Sequence, residues 1–292
     1  MTTLLITDLD NTLYDWVTFF ARSFTSMVDA LVNELGVDRE ELLDEFRAIH
    51  LRLGDSEQPF AVLELPCIRA RFGQLDRLAL KHRLDGPLHA FNSERNRTLK
   101  LYDSVSETLA ALQESGVLIV GHTEAVKANA YYRLAKLGIV DRFRRLYVLD
   151  SGYPGHPDPE RASELRPPEG FVHVLPRLRR KPNPEVLLEI CSQEGIAPED
   201  AWYIGDSLTR DIGMAKAAGV AAIWARYGTS YDPRLWETLV RVSHWSEEDV
   251  RREAELKRRA GTIHPDFTID SFDELIEILG AERGPFAVAR AL

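Results

Sequence analysis

Two carboxylates at the end of an apolar run are the first residues in this chain whose types and spacing suggest chemistry. Leu4, Leu5 and Ile6 make a run of strand length that ends in Thr7-Asp8-Leu9-Asp10-Asn11-Thr12. Successive side chains alternate along a strand, so Asp8 and Asp10 fall on one side. The carboxyl edge of a parallel sheet is where α/β proteins gather reactive groups. Two acids held there repel, and a divalent cation with oxygen ligands is the natural counter-charge. An isolated Asp-x-Asp fits an ordinary strand end and solvated Asp-Asn turn equally well. What shifts the balance lies further on. Thr123 follows the apolar run 117–120 through Gly121 and His122. Lys181 stands in Arg179-Arg180-Lys181-Pro182-Asn183-Pro184. Asp206 follows the apolar run 201–204, with Asp211 five residues later.

The elements that must position these groups alternate along the chain. Phe20, Phe24, Met27, Leu31 and Leu35 recur at helical spacing until Gly36. Asp38 and Glu41 form a capping box for a second helix through Leu42, Phe46, Ile49 and Leu53, which Gly54 ends. Further helices are predicted over 62–72 and 75–83, with Pro87 and Asn92 as breaks. Residues 15–98 therefore read as a helical insert. Beyond it the pattern predicts helices over 105–113, 125–137 and 184–194, and one through Met214 and Ala218. Strands fall at 117–120, 146–149, 171–175, 201–204, 220–225 and 267–269, and a last helix at 272–279. Residues 151–169 are rich in Pro, Gly and charge and read as a loop or flap. Residues 233–261 read as a charged helical excursion, with Trp236, Leu239 and Val240 docking on the core. Its basic stretches, Arg251-Arg252 and Lys257-Arg258-Arg259, alternate with glutamates as a solvated helix face does. The expected fold is an α/β, Rossmann-like parallel sheet flanked by helices with a mostly helical cap domain. Its catalytic core would comprise 1–14 and 99–280, its cap 15–98 and its C-terminal tail 281–292.

The composition of the 292-residue chain, 45% hydrophobic, is sufficient for a large core. Lys and Arg number 36 against 46 Asp and Glu, a net charge of -10, which disfavours a nucleic acid polymer as partner. No apolar run is long enough to cross a membrane, and no basic segment followed by an apolar one marks a signal peptide. With only Cys67 and Cys191 and no paired zinc spacing, a cytoplasmic protein with free thiols is expected.

In order and context, Asp-Leu-Asp-Asn-Thr-Leu at 8–13, Thr123, Lys-Pro-Asn-Pro at 181–184 and Gly-Asp-Ser-Leu-Thr-Arg-Asp at 205–211 resemble the four motifs of the haloacid dehalogenase-like (HAD) hydrolase superfamily. The helical insert resembles the family's cap placed between motifs one and two. The resemblance implies roles that the chemistry supports. Asp8 would attack phosphorus and form an aspartyl-phosphate. Asp10 would protonate the leaving oxygen and then activate water, with its backbone carbonyl on the metal. Thr123 would donate to a phosphoryl oxygen, and Lys181 would hold the negative charge, with Arg179 or Arg180 as substitutes. Asp8, Asp10, Asp206 and Asp211 would form the Mg²⁺ site, with Asp206 or Asp211 or both reaching the ion through water. Asp15 reads as a helix cap or turn residue, His122 as a packing or supporting residue.

Dehalogenases of this superfamily lack an acid where Asp10 stands, phosphonatases carry a small residue there, and P-type ATPases a threonine. The resemblance therefore implies a Mg²⁺-dependent phosphomonoester hydrolase acting on a small phosphorylated metabolite. The first motif is similar to the pyrimidine 5′-nucleotidase-like branch, which makes a nucleotide one such substrate. A phosphomutase of the same fold and a catalytically silent phospholigand-binding protein are the alternatives. Phe19, Phe20 and Arg22 are the insert's candidates for substrate selection.

Overall fold

The computed structural model describes residues 3–58, 60–150, 156–158, 160, 166–244, 251, 255, 258 and 260–280. A seven-stranded sheet runs through the molecule with all neighbours parallel. Its strands are β1 (Leu4–Thr7), β2 (Leu118–Val126), β3 (Arg145–Leu149), β4 (Val172–Leu175), β5 (Ala201–Gly205), β6 (Ala221–Ala225) and β7 (Phe267–Ile269). The order β4-β3-β2-β1-β5-β6-β7 puts β1 at the centre. Leu4 lies opposite Leu118 on one side and Ala201 on the other. The chain lays β2 to β4 outward on one side of β1 and returns to place β5 on the other. The crevice beyond the ends of β1 and β5 is thus a topological switch point, where open α/β sheets hold ligands.

β1 is buried throughout, as a strand covered on both faces must be. Leu5 joins one apolar cluster with Val105, Leu109, Ile119 and Trp202, while Leu4 and Ile6 join another with Val186, Ile190 and Tyr203. Helices between and after the strands supply both layers: α6 (Val105–Glu114), α7 (Lys127–Lys136), α8 (Pro184–Glu194), α9 (Gly213–Ala217) and, after β7, α11 (Glu274–Gly280).

Five helices lie between β1 and α6: α1 (Trp16–Leu35), α2 (Arg39–Leu53), α3 (Pro66–Phe72), α4 (Arg77–Arg83) and α5 (Asp85–Thr98). Asp15 caps α1 by accepting from Thr18 N at 2.8 Å, and Asp38 caps α2 by accepting from Glu41 N at 3.0 Å. Phe24, Leu31, Leu42, Phe46 and Ile68 build a third apolar cluster within this insert.

Several boundaries differ from expectation. Pro87 and Asn92 do not break the chain; α5 runs through both. Pro87 is its third residue, where a missing N–H leaves no intrahelical bond unmade. The helix expected over 62–72 is interrupted, because Pro66 starts α3 afresh after a short 3₁₀ turn at Ala61–Glu64. β2 continues to Val126, so α7 begins at Lys127 rather than Ala125. The helix expected through Met214 opens with a π-turn at Leu208–Ile212 that carries Asp211.

Helix α10 (Pro233–Val242) packs against α1 and α2 as well as the sheet layer. Leu239 is buried with the core, Val242 is buried in the insert's cluster, and Val240 is 40% exposed. The excursion therefore docks on two bodies rather than on the core alone, and not through Val240. Most of the 151–169 loop, nearly all of the excursion from 245 to 259 with most of its basic run, and the 281–292 tail lie outside the described residues.

Candidate active site

Asp8 leaves β1 at the switch point with its backbone N–H still donating to Ile204 O of β5 at 2.9 Å. Its carboxylate is buried and held at both oxygens. Lys181 Nζ lies 2.5 Å from Oδ1, and Thr12 donates through Oγ1 to Oδ2 at 3.1 Å. Lys181 also reaches Asp211 Oδ1 at 2.8 Å, so one ammonium neutralises acids from two separate strand ends. Asp211 is fixed further by Tyr203 OH at 3.1 Å and the Ser207 N–H at 3.1 Å. Asp206 stands beside them, and the Trp224 indole N–H donates to its backbone oxygen at 2.8 Å. Carboxylate oxygens of Asp8, Asp206 and Asp211 lie within 4.8 Å of one another.

Three acids against one lysine leave the cluster short of positive charge. Burial, opposed by Lys181 and reinforced by Asp211 and Asp10, pushes the Asp8 carboxyl up to about 7. Burial, then Asp211 and Asp8, push Asp206 well above the carboxylate range. Burial works against the charge on Lys181, yet Asp211 and Asp8 outweigh it and hold the ammonium firmly protonated. A hard dication fits this donor set. It would be held by carboxylate oxygens of Asp8, Asp206 and Asp211, and it would relieve the repulsion that their burial creates. The Asp10 side chain is not part of this group. Its Oδ1 accepts from Arg133 at 2.7 Å, which leaves its backbone carbonyl as the atom expected on a metal.

The predicted residues meet around one cavity of about 500 Å³, lined by Asp8, Asp10, Thr123, Lys181, Asp206 and Asp211. Thr123 is buried within β2, three residues before its end, and accepts from Ala125 N at 3.1 Å. Arg179 turns away to pair with Glu189, and Arg180 donates to Gly54 O at 3.0 Å, so Lys181 makes the contact with Asp8. His122 is buried beneath the site with Nδ1 3.4 Å from Tyr203 OH. Burial, then Lys181, keep its imidazole neutral. Phe19 and Phe20 are buried among aromatic neighbours and do not line this cavity; Trp16 does. Arg22 is exposed.

Sequence reasoning missed several contributors. Glu124 accepts from Lys181 N at 3.0 Å and pairs with Arg210, tying three motif loops together. The turn 226–229 crosses so close that a Cβ on Gly228 would stand 1.8 Å from Asn11 O, and Tyr227 OH donates to Thr12 O at 2.7 Å. From the insert, Gly54, Asp55, Ser56 and Glu57 form the opposite wall, joined by Trp236 and Leu239 of α10. Burial at this wall pushes Asp55 up to about 6 against Arg133, Arg177 and Arg180. The glycine after a helical stripe marked Gly54 as a helix end but carried no sign of where the following loop would land.

A doubly wound parallel sheet with an acid cluster and one buried lysine at its switch point defines an α/β protein suited to hold an anionic group beside a cation. Residues 2–219 match the haloacid dehalogenase-like hydrolase family, and residues 178–275 match a second description, HAD-hydrolase-like. The chain belongs to the haloacid dehalogenase-like hydrolases. It is 26% identical over 192 residues to a glyceraldehyde 3-phosphate phosphatase of Methanopyrus kandleri, covering 65% of this chain and 61% of the relative. It is 32% identical over 146 residues to an N-acetylmuramic acid 6-phosphate phosphatase of Pseudomonas aeruginosa, covering 49% and 53%. It is 31% identical over 144 residues to a phosphoglycolate phosphatase of Nitrosococcus oceani, covering 49% and 52%. The matches span between about half and three fifths of those relatives.

The fold superposes on a HAD phosphatase from Thermococcus onnurineus with a TM-score of 0.54 at 20% identity, covering 97% of this chain and 100% of the other. It superposes on a 2-haloacid dehalogenase from Pseudomonas syringae with a TM-score of 0.53 at 19% identity, covering 96% and 99%. These two carry different activities on one fold, so the choice between chemistries rests on the site. No helix among the described residues is long and apolar enough to cross a membrane.

Proposed function

We propose that this chain is a Mg²⁺-dependent phosphomonoester hydrolase that works through an aspartyl-phosphate on a small phosphorylated metabolite. The observation that carries this reading is the Lys181 ammonium bridging Asp8 and Asp211 while Asp10 faces the same cavity. A haloacid substrate needs no leaving-group proton, whereas an alkyl phosphate does, and Asp10 is the acid placed to supply one. The three relatives named above each bear the name of a phosphatase for a small phosphorylated compound. The likeness of the first motif to nucleotidases remains an expectation of the sequence.

In this mechanism Asp8 attacks phosphorus while Lys181 and Thr12 hold its carboxylate in place. Lys181 and the Thr123 hydroxyl hold the phosphoryl oxygens. Asp10 gives its proton to the departing oxygen and is left ionised, ready to take a proton from water. Water then attacks phosphorus and frees Asp8. A bound Mg²⁺ would supply charge neutralisation at the phosphoryl group, held by Asp8, Asp206, Asp211 and the Asp10 carbonyl. Residues 15–98 act as a cap that excludes water when closed, hinged near 13–17 and 96–101.

The test is a panel of phosphorylated metabolites with Mg²⁺, run beside Asp8→Asn. Wild-type release of inorganic phosphate and a loss of roughly 10⁴-fold or more in the variant are expected, since an amide is a far poorer nucleophile. Solvent oxygen should appear in the released phosphate in the first turnover. Phosphate delivered to a second substrate hydroxyl would replace this reading with a phosphomutase. Turnover by Asp8→Asn at the wild-type rate would end it.

A further inference from the structure

Arg133 is a buried arginine on the inward face of α7, beside Ala130 and Leu134. Its side chain is 4% exposed, and aliphatic residues ordinarily fill such a position. The guanidinium forks. One nitrogen donates to Asp10 Oδ1 at 2.7 Å, and the other pairs with Glu57, which the insert delivers from the loop after α2. Glu57 is fixed in turn by the Trp16 indole and by Asn129 Nδ2, which donates to its backbone oxygen at 2.8 Å. The rings of Phe19 and Tyr14 lie 5.0 and 5.9 Å from the guanidinium carbon and close the space around it. A planar fork in an apolar slot has little freedom to rotate, so each partner it holds is held in direction as well as distance.

We infer that Arg133 is a positioning residue. It fixes the orientation of Asp10 over the cavity, and Glu57 locks Arg133 in that orientation only when the insert stands against the core. The inference rests on the reading of Asp10 as the acid and base of phosphoester hydrolysis. It adds a physical link, Asp10 to Arg133 to Glu57, through which the insert's position acts on the chemistry. With Glu57 withdrawn, the second arm of the fork loses its ion-pair partner, and Arg133 holds Asp10 less firmly in direction. The proton donor is then set correctly only in the closed arrangement, where water is excluded.

The experiment compares first-turnover rates for a simple alkyl phosphate and for p-nitrophenyl phosphate, whose leaving group needs no proton. Arg133→Met should slow alkyl phosphate cleavage about 10²-fold or more and p-nitrophenol release less than about 10-fold, followed by a slowed second step. Arg133→Lys, which keeps the charge but loses the fork, should recover part of the alkyl rate. Glu57→Gln should show the same split between substrates at about 10-fold. Equal losses on both substrates would mean a merely structural role and overturn the inference.

A second measurement needs no substrate. Melting temperatures of Asp10→Asn, Arg133→Met, Glu57→Gln and their pairs should be non-additive, each pair losing less than the sum of its singles. Additive losses would overturn the link even if the hydrolase reading stands. Non-additive losses in a protein that cleaves no phosphoester would uphold the link and remove the hydrolase reading instead.

Discussion

Replacing Asp206 with asparagine separates two demands placed on the acid cluster, folding and metal binding. Asp8, Asp206 and Asp211 bring oxygens within 4.8 Å of one another, and Lys181 pairs with Asp8 and Asp211 but not Asp206. At an effective dielectric of about 20, two unit charges 4.8 Å apart repel by about 3.5 kcal/mol. Partial protonation of the cluster relieves some of this, so about 2 kcal/mol is the gain expected from Asp206→Asn in metal-free protein at neutral pH. The sign follows from the raised proton affinity of Asp206. A carboxyl whose pKa rises on folding stabilises fully below its unfolded value of 3.8 and loses that contribution as pH rises. The advantage of asparagine therefore grows from about pH 4 upward. At roughly 2 °C per kcal/mol for a chain of this size, the variant should melt about 4 °C higher in chelator. Saturating Mg²⁺ should reverse the order. A ligand that binds only the folded protein at 100 times its Kd adds about 2.7 kcal/mol, and the variant has lost a ligand charge. Scanning calorimetry with chelator and with Mg²⁺ checks both halves. A metal-free variant melting at or below wild type, or equal gains from Mg²⁺ in the two proteins, would refute the reasoning.

Two further perturbations probe how the site is framed. His50 Nδ1 lies 2.7 Å from Val242 O across the seam between α2 and α10, and burial pushes its imidazole down to about 4 against that backbone contact. A depressed histidine stabilises above its unfolded value of 6.5 and loses that contribution as pH falls toward 4, here about 3 kcal/mol. Urea melts of wild type and His50→Gln at several pH values should show a fall between about pH 6.5 and 4 that is shallower in the variant, and parallel curves would contradict it. Gly228→Ala places a Cβ against Asn11 O, in a turn where Asn11 already has φ 58°, so the loop carrying Asp8 to Thr12 must shift. A loss of more than about 2 kcal/mol of stability and most of the turnover is expected; near wild-type values on both counts would show that the turn yields freely.

What was legible in the sequence was what local pattern dictates. Apolar runs ending before Asp8 and Asp206 placed those residues just past strand ends, whereas the strand end expected at Thr123 is not observed, because β2 runs on to Val126. Lys181 was legible over Arg179 and Arg180 because Pro-Asn-Pro follows it, as in the family's third motif, and not from any local sign of where its side chain would lie. Asp15, Gly36, Asp38 and Gly54 were read correctly as helix ends, since capping is decided within one turn of chain. Pro87 was misread because the first turn of a helix tolerates what its interior does not. Arg133 and Glu57 were missed because an ion pair between α7 and the α2 loop has no local signature. The one available sign was an arginine occupying a place in the apolar stripe of Ala130, Leu134 and Leu137.

The same distinction bears on how the insert and the sheet are joined. The amphipathic pattern of α10 identified a docking helix but named only the core as its partner, because one stripe meets two bodies. Leu239 enters the core cluster, whereas Val242 enters the insert's, and His50, Ser56 and Arg241 hold the 241–244 end to α2 and its following loop. Ser56 sits next to Glu57, so the contact that fixes α10 and the contact that reaches Arg133 belong to one short loop. A cap swinging only about 13–17 and 96–101 would have to break the His50, Ser56 and Arg241 contacts together and expose Val242. A cap that carries α10 with it keeps them and needs a third crossing in 226–233. That crossing includes Gly228, which is already packed against Asn11 beside Asp8 and Asp10. If residues 15–98 move as a cap that carries α10, the loop that presents Asp8 would loosen in the same movement.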